Sequence, residues 1–204
     1  TKTQYMKRTD TIIDGPVNQY YNHDKIICLY GGPGSGKSTV CAGLYYALKL
    51  EGYECEMNRE YIKDWNWEDR EVKPGDQSYF FAKMARKERI YMDAGMDFII
   101  TDSPLILTHY YGLKYDEFEQ MTNTSLAMLK NHHKYCQYKG YKVDHFFLER
   151  AARYSIAGRY QSEHEAKEID NELKNMLITM NIKFDSVVAD KNCVQSILDL
   201  LKAK

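Results

Sequence analysis

The sequence predicts one α/β domain built on a parallel sheet of five strands, with helices on both faces in three α/β/α layers. Three observations indicate this class. Short apolar runs alternate with stretches of helical periodicity, a glycine-rich loop follows the first apolar run directly, and the 204 residues contain no repeat or linker. We place a polar N-terminal extension at residues 1–24 and the domain at residues 25–204.

Apolar runs and turn residues locate each element. The five strands are predicted at residues 26–30, 53–58, 98–100, 145–148 and 183–188. One helix follows the glycine-rich loop and stops at Gly52, and others are predicted at about 77–94, 115–135 and 192–202. The pattern S-x-x-E from Ser162 to Glu165 is typical of a capping box, which opens a helix that runs to about residue 180.

The charge balance gives no general attraction to nucleic acid or membrane, because 28 Lys and Arg face 29 Asp and Glu. Residues 121–143 carry lysines and histidines without any acid; a solvated helix face is the simpler interpretation, and a local basic contact surface is the alternative. Five dispersed cysteines indicate a reducing compartment. No apolar run approaches the roughly 18 residues that span a bilayer, so we expect a cytoplasmic protein without a membrane partner.

The strongest functional signal is the pattern G-x-x-x-x-G-K-[ST] from Gly31 to Ser38. Glycines let the backbone wrap around phosphate oxygens, and the following helix presents its positive end to the same anion. Lys37 is expected to contact the β- and γ-phosphates of ATP, and the Ser38 hydroxyl to ligate Mg²⁺. The predicted nucleotide-binding residues are Gly31, Gly32, Pro33, Gly34, Ser35, Gly36, Lys37, Ser38 and Thr39.

Two carboxylates follow predicted strands and are therefore expected at the phosphate site. Asp102 ends an apolar strand and is predicted to hold Mg²⁺, directly or through water; the alternative is a helix N-cap, since Ser103 and Pro104 come next. Glu60 follows the second strand, where it could accept a proton from an attacking hydroxyl. For Glu60 the alternative is a surface pair with Arg59.

Three arginines, Arg150, Arg153 and Arg159, lie in a short segment before the capped helix. Phosphoryl transfer develops charge on the equatorial oxygens, and arginines that close over them stabilise that charge while excluding water. Each arginine alone is equally well explained as a surface residue, whereas three in one segment indicate a catalytic lid. Because Arg150 follows the fourth strand directly, at least one of them is expected to face the cleft.

With these residues in order, the chain resembles the P-loop nucleoside and nucleotide kinases of the thymidylate-kinase-like group from residue 25 to residue 190. Arg59-Glu60 is similar to the Arg-Glu that follows the second strand in thymidylate kinases, and a carboxylate there acts as base in related deoxynucleoside kinases. Gln77-Ser78-Tyr79 is similar to a helix segment whose glutamine reads a nucleobase. The resemblance implies that Arg59, Gln77 and Tyr79 bind the acceptor.

Ser103 departs from the pattern of this group. In the monophosphate kinases an arginine follows the acidic residue and helps to hold the acceptor's phosphate. Its absence here favours transfer to a hydroxyl group.

Several stretches look closer to a phage-encoded branch of the group, which implies the host cytoplasm as location. They are Arg59–Tyr61, Lys63–Trp65, Thr101–Pro104 and Gly158–Gln161. That branch includes kinases that phosphorylate 5-hydroxymethyluracil within DNA, and it also resembles nicotinamide riboside kinases.

A DNA acceptor would need basic and aromatic contact residues. The candidates are the acid-free stretch 121–143, the run from Lys83 to Arg89, and the side chains of Trp65 and Trp67; packing is the alternative role of both tryptophans.

The resemblance leaves three functions open. The first is a kinase of a nucleoside-type hydroxyl, with 5-hydroxymethyluracil in DNA as its sharpest form. The second is a kinase of a free nucleoside, nucleotide or nicotinamide riboside. The third is a nucleotide-hydrolysing switch. This function is less favoured, because a motor usually needs extra domains and an arginine from a neighbouring subunit, whereas this chain is short and carries its own arginines. The sequence leaves the oligomeric state open, including a homodimer.

Overall fold

The sheet carries five parallel strands in the order β2-β3-β1-β4-β5. The computed structural model describes residues 24–73, 75–115, 121–151 and 162–203. The strands are β1 (Lys25–Tyr30), β2 (Cys55–Asn58), β3 (Phe98–Thr101), β4 (Lys142–Glu149) and β5 (Asp185–Val188). The helices are α1 (Lys37–Leu50), α2 (Ile62–Trp67), α3 (Asp76–Asp93), α4 (Leu105–Tyr115), α5 (Met121–Tyr138), α6 (Glu163–Thr179) and α7 (Cys193–Lys202).

Helices cover both faces of the sheet, as the sequence predicts. Successive residues of a strand point to opposite faces. Ile27 and Leu29 of β1 accordingly pack with residues of α1 and α7, whereas Ile26, Cys28 and Tyr30 pack with residues of α3, α4, α5 and α6. All six residues of β1 are buried, which fits a central strand of a parallel sheet. The predicted three-layer α/β/α class is confirmed.

The five cysteines are free thiols, and each is buried on a strand or helix. This agrees with their dispersed spacing in the sequence. Among the described residues, no helix combines the length and apolarity needed to cross a bilayer.

Two helices in the described part of the chain, α2 and α4, were not predicted. Tyr115, where the sequence predicts the start of a helix, is the last residue of α4, and Met121–Tyr138 of the predicted helix form α5. Five of the six residues from Leu105 to Tyr110 are buried, so α4 lacks the one-sided apolar stripe by which a surface helix is recognised. The six residues of α2 are too few to show a period.

The capping box of α6 is confirmed. The side chain of Ser162 accepts a hydrogen bond from the backbone N–H of Glu165, and the Glu165 side chain accepts one from the backbone of Ser162. The start of α6 is therefore fixed by its own sequence. The α6 helix also packs against the glycine-rich loop, because its Ala166 and Asp170 lie next to Gly32.

Candidate active site

Four strands bring the predicted site to one edge of the sheet. The glycine-rich loop follows β1, Glu60 follows β2, Asp102 follows β3 and Arg150 follows β4. The carboxyl ends of parallel strands lie at the same edge, and ligands of open α/β sheets bind there. The sheet order places the loop's strand between the strands that carry Asp102 and Arg150.

The glycine-rich loop ends in a tight turn at Gly36, whose φ of 95° lies in the left-handed region that favours glycine. The helix α1 begins at the next residue, Lys37, and its first turn contains no acidic residue. Its unpaired N–H groups and the positive end of its dipole therefore face the loop without a competing carboxylate of their own helix. This is the backbone context that an anionic phosphate requires.

The Lys37 side chain folds back over the loop. Its Nζ donates hydrogen bonds to the carbonyl oxygens of Gly31 (2.6 Å) and Gly32 (3.0 Å). Burial lowers the pKa of Lys37, whereas the carboxylates of Glu60, Asp102 and Asp170 act in the opposite direction. Lys37 is thus held inside the loop, within the electrostatic reach of three carboxylates from three other segments of the chain.

The loop also has the shape of a cradle that side chains would fill. A Cβ atom on Gly31 would lie 2.5 Å from Oγ of Ser35, and Gly31 has a φ of 141°. The Ser35 Oγ is buried and has no hydrogen-bond partner in the described part of the chain. An unpaired buried hydroxyl beside helix-terminal N–H groups fits a phosphate oxygen as its missing partner.

The remaining residues of the loop differ in their exposure. Pro33 and Gly34 form the partly exposed turn of the loop, Ser38 is half-buried in the first turn of α1, and Thr39 is exposed beside it. Ser38 and Thr39 follow Lys37 in the first turn of the helix whose positive end faces the expected phosphates.

Asp102 is almost fully buried at the end of β3, and its Oδ1 accepts a 2.7 Å hydrogen bond from the backbone N–H of Glu60. This bond joins the ends of the neighbouring strands β2 and β3. Glu60 itself is half-buried and Arg59 beside it is exposed.

Oxygen ligands are what Mg²⁺ prefers, and Ser38 and Asp102 supply a hydroxyl and a carboxylate at this edge. Within the described segments no group of three or more His, Cys, Asp or Glu side chains could hold a metal by itself. Mg²⁺ in nucleotide sites is commonly held through one or two carboxylates and through nucleotide phosphates.

Arg150 is the one predicted lid arginine that lies in the described residues. Its guanidinium Nε donates to Oδ2 of Asp170 on α6, and its Nη2 donates to the carbonyl oxygen of Ala166 at 3.1 Å. Its charge acts on Lys37, where it adds to the lowering of the pKa. Arg153 and Arg159 lie outside the described residues, so their placement in a lid stays a prediction.

The residues assigned to acceptor binding face different ways. Gln77 and Tyr79 are two positions apart in the first turn of α3, which rotates them by about 200° around the helix. Gln77 is buried and Tyr79 is exposed. Tyr79 lies edge-on to Tyr61 with ring centroids 5.9 Å apart, and Nζ of Lys83 donates to its hydroxyl at 3.2 Å. Their role in acceptor binding, with that of Arg59, stays a prediction.

The two tryptophans of α2 differ in the same way. Trp65 is buried against Phe80, with ring centroids 4.9 Å apart, and the Arg70 guanidinium lies 3.9 Å from its ring centroid. Trp67 leaves 65% of its surface exposed. Packing accounts for Trp65, whereas Trp67 keeps a ring available for contact with another molecule.

Two basic residues of the stretch 121–143, His132 and Lys139, pair with acidic residues of α3. His132 of α5 lies at the wall of a cavity of about 360 Å³, with its Nε2 2.7 Å from Oε2 of the buried Glu88, outside the angles of a linear hydrogen bond. We therefore treat the two groups as an ion pair. Burial alone would lower the pKa of His132, but Cys136 and Glu88 together raise it to about 9. Lys139 pairs with Asp93 at 3.1 Å, so part of the positive charge of this stretch is neutralised.

Two residues of the site were not predicted from the sequence. Asp170 contacts the glycine-rich loop from the middle of α6, and Tyr111 of α4 lies within the electrostatic reach of Glu60, Asp170 and Arg150. Burial and these carboxylates raise the pKa of Tyr111. No local pattern marks Asp170, whereas Tyr111 and Tyr115 stack one turn apart in α4 and their i, i+4 spacing was visible in the sequence.

Two solved structures of NadR share this fold. NadR in complex with NR has a TM-score of 0.66 and 16% sequence identity, covering 89% of this chain and 52% of that chain. NadR in complex with NAD and AMP-PNP has a TM-score of 0.63 and 15% identity, covering 89% and 51%. The chain spans about half the length of these NadR chains.

No curated protein matches the sequence. A family model described as an AAA domain matches residues 26–191, a range that contains all five strands and the glycine-rich loop. Over most of its length, and with its phosphate-binding loop inside the match, the chain therefore belongs to the AAA domain family.

Proposed function

We propose that this protein is an ATP-dependent kinase that transfers the γ-phosphate to a hydroxyl group of a nucleoside-type acceptor. The observation that carries the proposal is the convergence of Lys37, Glu60, Asp102 and Arg150 at one sheet edge. Two cations and two carboxylates from four separate segments supply what phosphoryl transfer needs: charge stabilisation and a proton acceptor.

Each group has a distinct task in this mechanism. The loop amides and Lys37 bind the β- and γ-phosphates, and Arg150 stabilises negative charge that develops on the transferred group. Ser38 and Asp102 would hold Mg²⁺, which neutralises phosphate charge when bound. The acceptor oxygen forms a bond to the γ-phosphorus as the bond from that phosphorus to the β–γ bridging oxygen breaks. The hydroxyl proton goes to the Glu60 carboxylate, and ADP leaves.

Two observations favour transfer over plain hydrolysis. Glu60 is a second carboxylate beside the expected metal-binding carboxylate Asp102, and a carboxylate at this position can accept the proton of an acceptor hydroxyl. The chain also supplies Arg150 within the same subunit, whereas a switch or motor commonly takes its arginine from a partner. Ser103 in place of an arginine supports a hydroxyl rather than a phosphate as the receiving group.

The finer proposal concerns the acceptor. The stretches around Arg59–Trp65 and Thr101–Pro104 support 5-hydroxymethyluracil in DNA through their resemblance to the phage-encoded kinases. The likeness to NadR structures that contain NR or NAD favours nicotinamide riboside as the competing small acceptor. Trp67 is the exposed ring of α2 that could stack on a base of a polymeric acceptor.

One acceptor screen separates these forms. ATP labelled at the γ-phosphate is incubated with an oligonucleotide containing 5-hydroxymethyluracil, a matched oligonucleotide with thymine in its place, free deoxynucleosides, and nicotinamide riboside. Label on the first oligonucleotide alone supports the DNA acceptor, because the matched control lacks only the hydroxyl. Label on a free nucleoside or riboside assigns the small-molecule form instead.

The membership in the AAA domain family favours a second candidate, an ATPase whose hydrolysis changes a partner-binding surface. In that case ATP hydrolysis proceeds at full rate without an acceptor, and the oligomeric state changes with the nucleotide. Hydrolysis of this kind, with no labelled product from any acceptor across a range of Mg²⁺ and salt concentrations, would refute the kinase proposal.

A further inference from the structure

The α6 helix touches the phosphate-binding loop through one carboxylate, that of Asp170. Its Oδ1 accepts a hydrogen bond from the backbone N–H of Gly32 at 2.5 Å. Both of its oxygens also accept from the guanidinium of Arg150: Oδ2 from Nε, and Oδ1 from Nη2 at 3.3 Å. A single side chain therefore holds a loop amide and a proposed catalytic cation at once.

The contact is close on the loop side. A Cβ atom on Gly32 would lie 2.6 Å from the carbonyl oxygen of Ala166 and 3.0 Å from both Oδ1 of Asp170 and Nη2 of Arg150. Gly32 thus lets the backbone of the loop and the backbone of α6 approach to van der Waals distance. Its carbonyl oxygen in turn accepts from Nζ of Lys37 at 3.0 Å, so the chain of contacts reaches from Asp170 to the lysine.

The pair is shielded from solvent. The side chains of Arg150 and Asp170 are exposed by only 14% and 15%, and two parallel N–H···O contacts fix the guanidinium plane. A bidentate contact of this kind fixes direction as well as distance, which a single point charge cannot do. A carboxylate placed beside a phosphate site is otherwise unfavourable, because it repels the anion. The presence of Asp170 is explained if its carboxylate holds the Arg150 guanidinium in a fixed orientation.

We propose that Asp170 is a positioning residue, which joins α6 to the phosphate-binding loop and orients Arg150 toward the transferred phosphoryl group. The inference rests on the proposed function for its catalytic effect. Asp170 does not touch the substrate in this scheme; it acts through Arg150 and through the Gly32 amide. The capping box at Ser162 fixes the start of α6 and hence the position of Asp170 along the helix, opposite the loop.

The Asp170→Asn variant separates the two contacts. Its amide oxygen can still accept from Gly32, but its nitrogen cannot accept from Nε of Arg150. We expect kcat to fall by about 100-fold, because a catalytic group misplaced by about 1 Å can lose that much rate. The KM for ATP should change much less. Glu168→Gln is the matched control, because Glu168 is an exposed acid of the same helix whose partner is His164.

Chemical rescue distinguishes positioning from a purely structural role. Arg150→Ala leaves a space in which added guanidinium can take the place of the missing side chain. Guanidinium should restore activity to Arg150→Ala when Asp170 is present and fail to do so in Arg150→Ala/Asp170→Asn. The two single substitutions should also be non-additive, so that the double variant is no slower than Arg150→Ala alone.

Two readouts keep this test independent of the acceptor. Basal ATP hydrolysis and the affinity for a fluorescent ATP analogue are measured alongside transfer, so a failed acceptor screen still leaves the role of Asp170 testable. Unchanged kcat in folded Asp170→Asn, additive effects of the two substitutions, or equal rescue with and without Asp170 would each overturn the inference. If Asp170→Asn does not fold, Asp170→Glu, which keeps the charge but moves the carboxylate by one methylene, should show a similar fall in kcat, and an unchanged kcat would overturn the inference.

Discussion

The backbone N–H of Glu60 donates a 2.7 Å hydrogen bond to Oδ1 of Asp102, and the two residues are 42 positions apart in the chain. The bond uses the main chain of Glu60, so the direction of its carboxylate is set separately from the bond. A substitution at Glu60 therefore leaves the join between β2 and β3 intact, whereas a substitution at Asp102 changes both a charge and a structural contact. The two carboxylates can be tested independently for this reason.

Glu60→Gln should retain nucleotide binding and slow transfer by about 100-fold or more, because the proton acceptor is lost while the shape is kept. Asp102→Asn should also slow transfer, but added Mg²⁺ should recover part of its rate, since the lost charge weakens metal binding. Steady-state rates over a series of Mg²⁺ concentrations measure both variants. If Mg²⁺ rescues Glu60→Gln and not Asp102→Asn, the two roles are exchanged.

Lys37→Ala should reduce transfer by about 1,000-fold, because the lysine is the main cation at the β- and γ-phosphates. The fold should survive, since Nζ makes two hydrogen bonds within the loop and the apolar clusters on both faces of the sheet do not include Lys37. Lys49→Ala is a suitable control: this lysine lies in the last turn of the same helix and pairs with Glu54. Full activity in Lys37→Ala would remove the basis of the kinase proposal.

Gly32→Ala should destabilise the protein by about 1–3 kcal/mol through overpacking, because the new Cβ meets the backbone oxygen of Ala166. Gly43→Ala places a Cβ equally close to a neighbour, 2.6 Å, but that neighbour is a side-chain methyl, Cγ2 of Val194, rather than a backbone atom. It should cost less than Gly32→Ala, since alanine favours a helix over glycine by about 1 kcal/mol and offsets part of the contact. Urea unfolding of both variants checks this contrast, and equal losses would show that the approach of α6 to the loop is not rigid.

The contribution of the His132–Glu88 pair to the free energy of unfolding should fall between pH 6.5 and about 9. The pKa of His132 is raised from 6.5 to about 9 in the folded protein, so its contribution is fully present below pH 6.5 and is lost as the pH rises through 9. His132→Gln should therefore lose about 3 kcal/mol of unfolding free energy at pH 6 and about 1 kcal/mol at pH 8.5.

The control for that prediction is His133→Gln, the neighbouring exposed histidine of the same helix. It should leave the pH dependence of the urea midpoint unchanged. A flat difference between His132→Gln and the parent protein over the whole range would mean that His132 is neutral when paired with Glu88.

Local patterns predicted the fold well because the decisive signals are short. The buried run of β1 and the capping box at Ser162 each depend on a few adjacent residues, and both have the predicted structure. The α4 helix was not predicted, because it is buried on several sides and therefore lacks an apolar stripe on one face.

The residues of the candidate site likewise divide into those that the local sequence predicts and those that it does not. Lys37 and Asp102 follow strands in a recognisable order, so their convergence could be anticipated from the rule for parallel sheets. Asp170 lies in the middle of a helix, and nothing in its neighbouring residues indicates a contact with Gly32, 138 positions earlier. Such contacts depend on how α6 packs on the loop, which is a property of the folded chain.

The buried thiols give the folded molecule an internal reporter of its own opening. Burial raises the pKa of Cys41 and Cys55 to about 12 and that of Cys193 to about 11, so almost no thiolate exists near neutral pH while the chain is closed. A thiol reagent can then react only when a strand or helix separates from its neighbours. Labelling rates at the five positions would map opening free energies across the sheet and both helical layers, without any introduced probe.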